Sequence, residues 1–161
     1  MAVEDQHDAP EVDEGSWIYL SAGSAEDPGD RSLREELAEA CAKSGWTAVT
    51  HPSPKSTGTA VDPGRFLASV SQAVEHADVV VAVIGPRSEM ADAELTLAYS
   101  HRRPVVGVQV GGAPLDSEAR MLLSGYERAT IVACDTPEQC AISLREALSD
   151  PAFAETIRQA G

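Results

Sequence analysis

Asp78-Val79-Val80-Val81-Ala82-Val83-Ile84 is the most strongly apolar run in the chain, and its reading decides the fold. Seven residues are too few for a buried helix, and an unbroken β-branched run suits a central parallel strand covered on both faces. Parallel strands need crossover connections, so helices should flank it. On its amino-terminal side, 64–76 carries Phe66, Leu67, Val70 and Val74 on one helical face. On its carboxyl side, a turn over Gly85–Met90 leads to a helix predicted from about Asp92 to His101.

The same alternation extends outward in both directions. Trp17–Ser21 reads as strand 1, and Asp30 as the cap of a helix from about Arg31 to Lys43 with Leu33, Leu37, Ala40 and Cys41 as its stripe. Trp46–Thr50 reads as strand 2, and His51–Pro63, rich in Pro, Ser, Thr and Gly, as a loop. Pro104–Val110 is strand 4, a short helix is expected near Ser117–Leu123, and Ala129–Ala133 is strand 5. Thr136 caps a helix to about Leu148, and Pro151 begins a last short helix. Five strands with intervening helices predict an α/β fold with a doubly wound parallel sheet, in the flavodoxin-like order 2-1-3-4-5. Ligands should then meet the loops after strands 1 and 3, where the strand order reverses.

Bulk properties narrow the function. The chain has 161 residues, 43% hydrophobic and only 4% aromatic, so the core must be aliphatic and a ring pair to sandwich a flavin is not evident. The net charge of -14 argues against a nucleic-acid partner and against docking on anionic lipid. Residues 1–15 hold six acids and no Lys or Arg, which reads as an acidic disordered tail ahead of a single domain at 16–161. No basic n-region, apolar leader or bilayer-length apolar run is present, and the three cysteines fit a reducing cytoplasm, with Cys41 and Cys134 as small core residues. No cofactor and no metal-ligand spacing is indicated.

Three features converge on the expected crevice. Ser21-Ala22-Gly23-Ser24 offers small side chains and backbone N–H groups that suit either a sugar or phosphate contact or plain packing. Glu89, Asp92 and Glu94 crowd the start of a helix; dipole pairing explains them, and so does a carboxylate turned into the cleft as nucleophile or base. Tyr19 alternates away from Ile18 and Leu20, either as a core tyrosine or as a hydroxyl holding a carboxylate.

Ile18-Tyr-Leu-Ser-Ala-Gly23, Ala77-Asp-Val-Val-Val-Ala82, Asp92-Ala-Glu-Leu-Thr-Leu-Ala-Tyr99 and Arg103-Pro-Val-Val106, in that order, resemble the nucleoside 2-deoxyribosyltransferase family, which includes nucleotide N-hydrolases. The resemblance spans roughly 17–148. It implies Glu94 as the nucleophile at an anomeric carbon, Tyr19 as its orienting partner, and Ser21, Ala22, Gly23 and Ser88 as sugar or phosphate contacts. His51 follows strand 2 where the family shapes the base pocket, and Met90 opens the Met90-Ala-Asp-Ala93 stretch that replaces the family's Gly-rich turn. The family's acid/base Asp corresponds to Val70, and Asp92 is the nearby carboxylate left to stand in, although it points to another side of the helix than Glu94. The expected activity is hydrolysis of the N-glycosidic bond of a nucleoside or nucleoside 5′-monophosphate. The alternatives are a nucleotide-binding module without turnover and a protein-interaction domain on the same fold. The resemblance also implies a homodimer or larger homo-oligomer.

Overall fold

In the computed structural model Val79–Ile84 forms β3, with Val79, Val80, Val81, Ala82 and Ile84 all buried. The structure describes residues 16–21, 28–50, 63–84, 89–111 and 123–160, and of 28–30, 63–67, 89–92 and 160 the backbone alone. Around β3 the sheet is completed by β1 (Trp17–Ser21), β2 (Thr47–Val49), β4 (Val105–Val110) and β5 (Ala129–Cys134). All pairs are parallel, and the order is β2-β1-β3-β4-β5, as the alternation predicted.

The helices are α1 (Pro28–Lys43), α2 (Pro63–His76), α3 (Glu89–Ser100), α4 (Pro137–Ser149) and α5 (Pro151–Ala160). Strand alternation splits the core into two layers. Ile18, Leu20, Val79 and Val81 meet Leu33, Leu37, Cys140 and Leu144, so α1 and α4 cover one face. Tyr19, Val80, Ala82 and Ile84 meet Val70, Val74, Leu95 and Ala98, so α2 and α3 cover the other.

Several boundaries differ from expectation. Helix α1 begins at Pro28, three residues before Arg31, so Asp30 lies inside the first turn and does not cap it. Proline suits that place, because its locked φ is helical and its missing N–H would have had no partner there. Helix α3 begins at Glu89 and ends at Ser100, earlier at both ends than the predicted 92–101. Arg102 takes a left-handed φ of 58° and Pro104 follows, which closes α3. Strand β2 is shorter than Trp46–Thr50. Thr136 caps α4 as expected, accepting from the Gln139 N–H at 3.2 Å. The tail at 1–15, the loop at 51–62 and the expected helix over 117–122 lie outside the described residues.

The cysteine reading needs a correction. Cys134 is buried as expected, but it is disulfide-bonded to Cys140, with Cα atoms 5.3 Å apart. The turn at 135–136 brings the first turn of α4 back over the end of β5, which places the two sulfurs together. Cys41 stays a free thiol, and its burial pushes its pKa up to about 12, so it behaves as an inert apolar group. Reduction of the Cys134–Cys140 bond is expected to cost about 2 kcal/mol through the loop it closes, read as a fall in Tm with added dithiol. An unchanged Tm on full reduction would show that the bond adds nothing.

Gly107 on β4 sits where a Cβ would collide with Ile84 Cδ1 and press on Leu123 Cδ1 at 3.3 Å. Ile84 is itself buried and has little room to yield. Gly107→Ala is therefore expected to lose about 1–3 kcal/mol in urea unfolding; a loss below a few tenths would show that this layer repacks freely.

Candidate active site at the strand-order reversal

The sheet order reverses between β1 and β3, and the carboxyl ends of the strands at such a reversal are where open α/β sheets take their ligands. Ser21 is the last residue of β1, beside Ala82 of β3, and Tyr19 lies two residues back on the same face, beside Val80. Over that face runs α3. Its inward stripe is Glu94, Leu95 and Ala98, while Thr96, Tyr99 and Ser100 face solvent. A carboxylate therefore occupies a position that packing would assign to an aliphatic side chain.

Glu94 is only 4% exposed, and with Ser21 it makes up the buried polar side chains among the described residues. Both of its oxygens are engaged. The Tyr19 hydroxyl donates to Oε2 and the Ser21 hydroxyl donates to Oε1. Two side-chain donors satisfy the buried carboxylate while leaving a lone pair on each oxygen.

The electrostatics follow from this enclosure. Burial raises the Glu94 pKa above the ordinary carboxylate value, against hydrogen bonds from Ser21 and Tyr19 and the charge of Arg34, which lower it. Burial, and then the adjacent Glu94 charge, raise the Tyr19 hydroxyl far above the usual phenol range. Tyr19 therefore keeps its proton and remains a donor across the working pH range.

The site residues expected from sequence are placed as follows. Glu94, Tyr19 and Ser21 come together. Ala22, Gly23, His51 and Ser88 lie outside the described residues, and so do the side chains of Met90 and Asp92, whose backbone belongs to the first turn of α3. Glu94 is the sixth residue of α3, past the first turn, so dipole pairing at the helix start does not account for it. Val70 is fully buried, in the apolar cluster that also holds Tyr19. Neighbouring Ser71 has its hydroxyl 3.3 Å from His101 Nε2.

Sequence reasoning missed Arg34. In Arg31-Ser-Leu-Arg-Glu-Glu36 it resembles any charged residue on a solvated helix face. Its charge nonetheless acts on both Glu94 and Tyr19, and its Nε is sealed from solvent. Its place directly after the buried Leu33 was the one available signal.

Among the described residues no group of three or more His, Cys, Asp or Glu could hold a metal ion, and no helix is long and apolar enough to cross a membrane. No protein-family model matches the chain, and no curated protein sequence is significantly similar to it. Solved structures are similar in fold. The CMP N-glycosidase BcmB of Clostridium botulinum superposes with a TM-score of 0.62 at 14% identity, over 80% of this chain and 98% of that one. A flavodoxin-like domain from a Synechococcus protein gives 0.53 at 16% identity, over 81% and 94%. A diflavin flavoprotein from Nostoc gives 0.55 at 12% identity, over 90% and 94%. At these identities the likeness is one of architecture.

Proposed function

We propose that this chain hydrolyses the N-glycosidic bond of a nucleoside or nucleoside 5′-monophosphate, with Glu94 as the nucleophile. The observation that carries the reading is a carboxylate buried at the crevice and held on both oxygens by the Tyr19 and Ser21 hydroxyls. Structural ion pairs rarely take this form, since a buried acid held only by hydroxyls costs stability and is kept where its chemistry is used. The architectural likeness to a CMP N-glycosidase supports the same substrate class.

In this scheme a Glu94 lone pair forms a bond to the anomeric carbon as the carbon–nitrogen bond breaks. The bonding electrons leave with the base, which takes a proton from water. The transition state carries positive charge on the sugar ring, and an adjacent carboxylate stabilises it before trapping it as a glycosyl ester. Water then attacks the same carbon, the ester bond returns its electrons to Glu94, and a proton goes to solvent. Tyr19 and Ser21 hold the carboxylate plane so that one lone pair faces the crevice. A homodimer, the 5′-phosphate requirement and the contacts of Ala22, Gly23, His51, Ser88, Met90 and Asp92 belong to this proposal.

One observation favours a second reading, nucleotide binding without turnover. Val70 fills its position with aliphatic surface, and among the described residues Glu94 is the one buried carboxylate. Without a positioned acid the leaving base departs unaided, and a general acid is typically worth about 10²–10⁴ in rate.

A panel of nucleosides and 5′-monophosphates separates the two. Release of free base by the wild type above the level of Glu94→Ala supports the hydrolase. A thermal shift with a nucleotide and no base release supports the binding module. Neither response removes both.

A further inference from the structure

We propose that the acidic segment 1–15 of this chain docks on an arginine cluster at the amino ends of the strands, the pole of the sheet opposite Ser21. All strand pairs are parallel, so the amino ends share one edge, and the register sets Tyr19, Val80, Val105 and Ala129 in one row across the sheet. Arg102 and Arg103 join α3 to β4 at that edge, and Arg128 directly precedes β5. Hydrogen bonds draw them together. Arg128 Nη1 donates to the Arg102 carbonyl at 2.9 Å, and the Tyr126 hydroxyl donates to the Arg103 carbonyl at 2.6 Å. Burial raises the pKa of that hydroxyl, and the charges of Arg128, Arg102 and Arg103 all oppose it. Arg102 holds its left-handed φ of 58° at the end of α3, a place where Gly is usual. An arginine is thus kept there against its backbone preference, which points to use of its side chain.

Among the described residues the one carboxylate at ion-pair distance from these three guanidinium groups is Glu127, 3.6 Å from Arg102, and both side chains are exposed. Such a pair adds little stability and yields to a competing anion. Elsewhere the chain repels an acidic segment. It has 12 Lys and Arg in all, and taking the six acids of 1–15 out of its net charge of -14 still leaves -8. The attachment point favours the chain's own segment over a free acidic peptide. Ser16, whose carbonyl accepts from the Thr47 N–H at 3.2 Å, leads into β1 at the same edge. Neighbouring strands lie about 4.8 Å apart, so β4 and β5 start about 10–15 Å from that point. Glu11, Asp13 and Glu14 precede Ser16 by two to five residues, a reach of about 7–17 Å for extended backbone before the side chains are added. Glu4, Asp5 and Asp8 have reach to spare. The tether also holds the segment at an effective concentration on the order of mM.

The docking stands apart from the glycosidase reading, since it needs no turnover. The test uses the full chain, 15N-labelled, with a nitroxide on Ala9→Cys. Cys41 is buried and Cys134 and Cys140 are bonded to each other, so the added thiol alone reacts. At about 0.01 M salt, where charges act over about 30 Å, the amide signals of Arg102, Arg103, Glu127 and Arg128 are expected to lose most of their intensity. Those of Ile84 and Val110, at the other end of the strands, should keep theirs. The contrast should vanish at about 1 M salt, where that range is about 3 Å, and in the triple variant Arg102→Gln, Arg103→Gln, Arg128→Gln. The corresponding triple Lys variant should keep it. Loss at neither end, equal loss at both, or a contrast that survives in the Gln variant or at high salt overturns the proposal. So does broadening of an unlabelled 15N chain by a nitroxide-bearing 14N chain mixed with it, which assigns the cluster to the segment of a second copy. Should the Gln variant not fold, replacing the six acids of 1–15 by Asn and Gln removes the charge from the other partner. A contrast that survives that replacement overturns the proposal equally.

Discussion

Glu94→Gln is expected to lower base release by ~10³-fold or more, because an amide oxygen cannot form and release a glycosyl ester in place of a carboxylate. The same variant should fold, and near neutral pH it should be more stable than the wild type. Gln is nearly isosteric, its carbonyl can accept from one hydroxyl, and its amino group can donate to the oxygen of the other. In the wild type, burial raises the folded pKa of Glu94 above the ordinary carboxylate value. Protonated Glu94 therefore favours the folded state. That contribution is fully present below the unfolded value and is lost as pH rises through the folded one. Gln has no such titration. The Tm gap in favour of Glu94→Gln should thus be small at about pH 4 and larger at about pH 8, each kcal/mol appearing as about 2–4 °C in a chain of this size. This is the usual exchange between stability and a reactive group whose charge is buried. Turnover equal to wild type would remove Glu94 from the chemistry, whatever happened to the Tm.

Val70→Asp should be the most damaging of the conservative-sized changes, costing about 4 kcal/mol and roughly 10 °C in Tm. Val70 is wholly buried, and its cluster supplies Val74, Ala77, Val80, Ala82 and Leu95. A carboxyl group there loses apolar contact and, if ionised, stands unpaired in an apolar layer. Asp ionises freely in the unfolded chain, so the loss should deepen as pH rises above about 4, the unpaired group preferring its neutral form when folded. Urea unfolding at low and neutral pH reads both parts. A cost below about 1 kcal/mol would show that the side chain escapes to the crevice, and would make this position accessible to substrate. The absence of an acid at 70 is thus built into the packing of α2 on the sheet, and a single substitution should not restore one.

The architecture was legible because it depends on local patterning. The β-branched run at 79–84 called for a strand covered on two faces, and alternation with amphipathic segments then left few topologies. Period-two alternation at Ile18, Tyr19 and Leu20 correctly divided the two layers. The pairing of Tyr19 with a carboxylate was foreseen as a possibility of that alternation, and Glu94 through its resemblance to a catalytic Glu. The start of α1 was misplaced by reading Asp30 as its cap, and that of α3 by extending the preceding turn to Met90, when the helices begin earlier, α1 at Pro28 and α3 at Glu89. Acids suit the whole first turn, so they mark a helix start only to within a few residues.

By itself, the sequence determined the layers of this protein and the order of its strands, which follow from the spacing of apolar residues along the chain; Glu94 and Tyr19 were singled out by a resemblance and by strand alternation that left a core tyrosine equally open. Tertiary structure alone decided that Ser21 donates to Glu94, that the charge of Arg34 acts on the same carboxylate from the opposite layer, and that Cys134 and Cys140 meet. Each of these joins residues of different elements or residues across a turn. Such contacts are set by how helices dock on the sheet, and no local pattern in the chain encodes that docking.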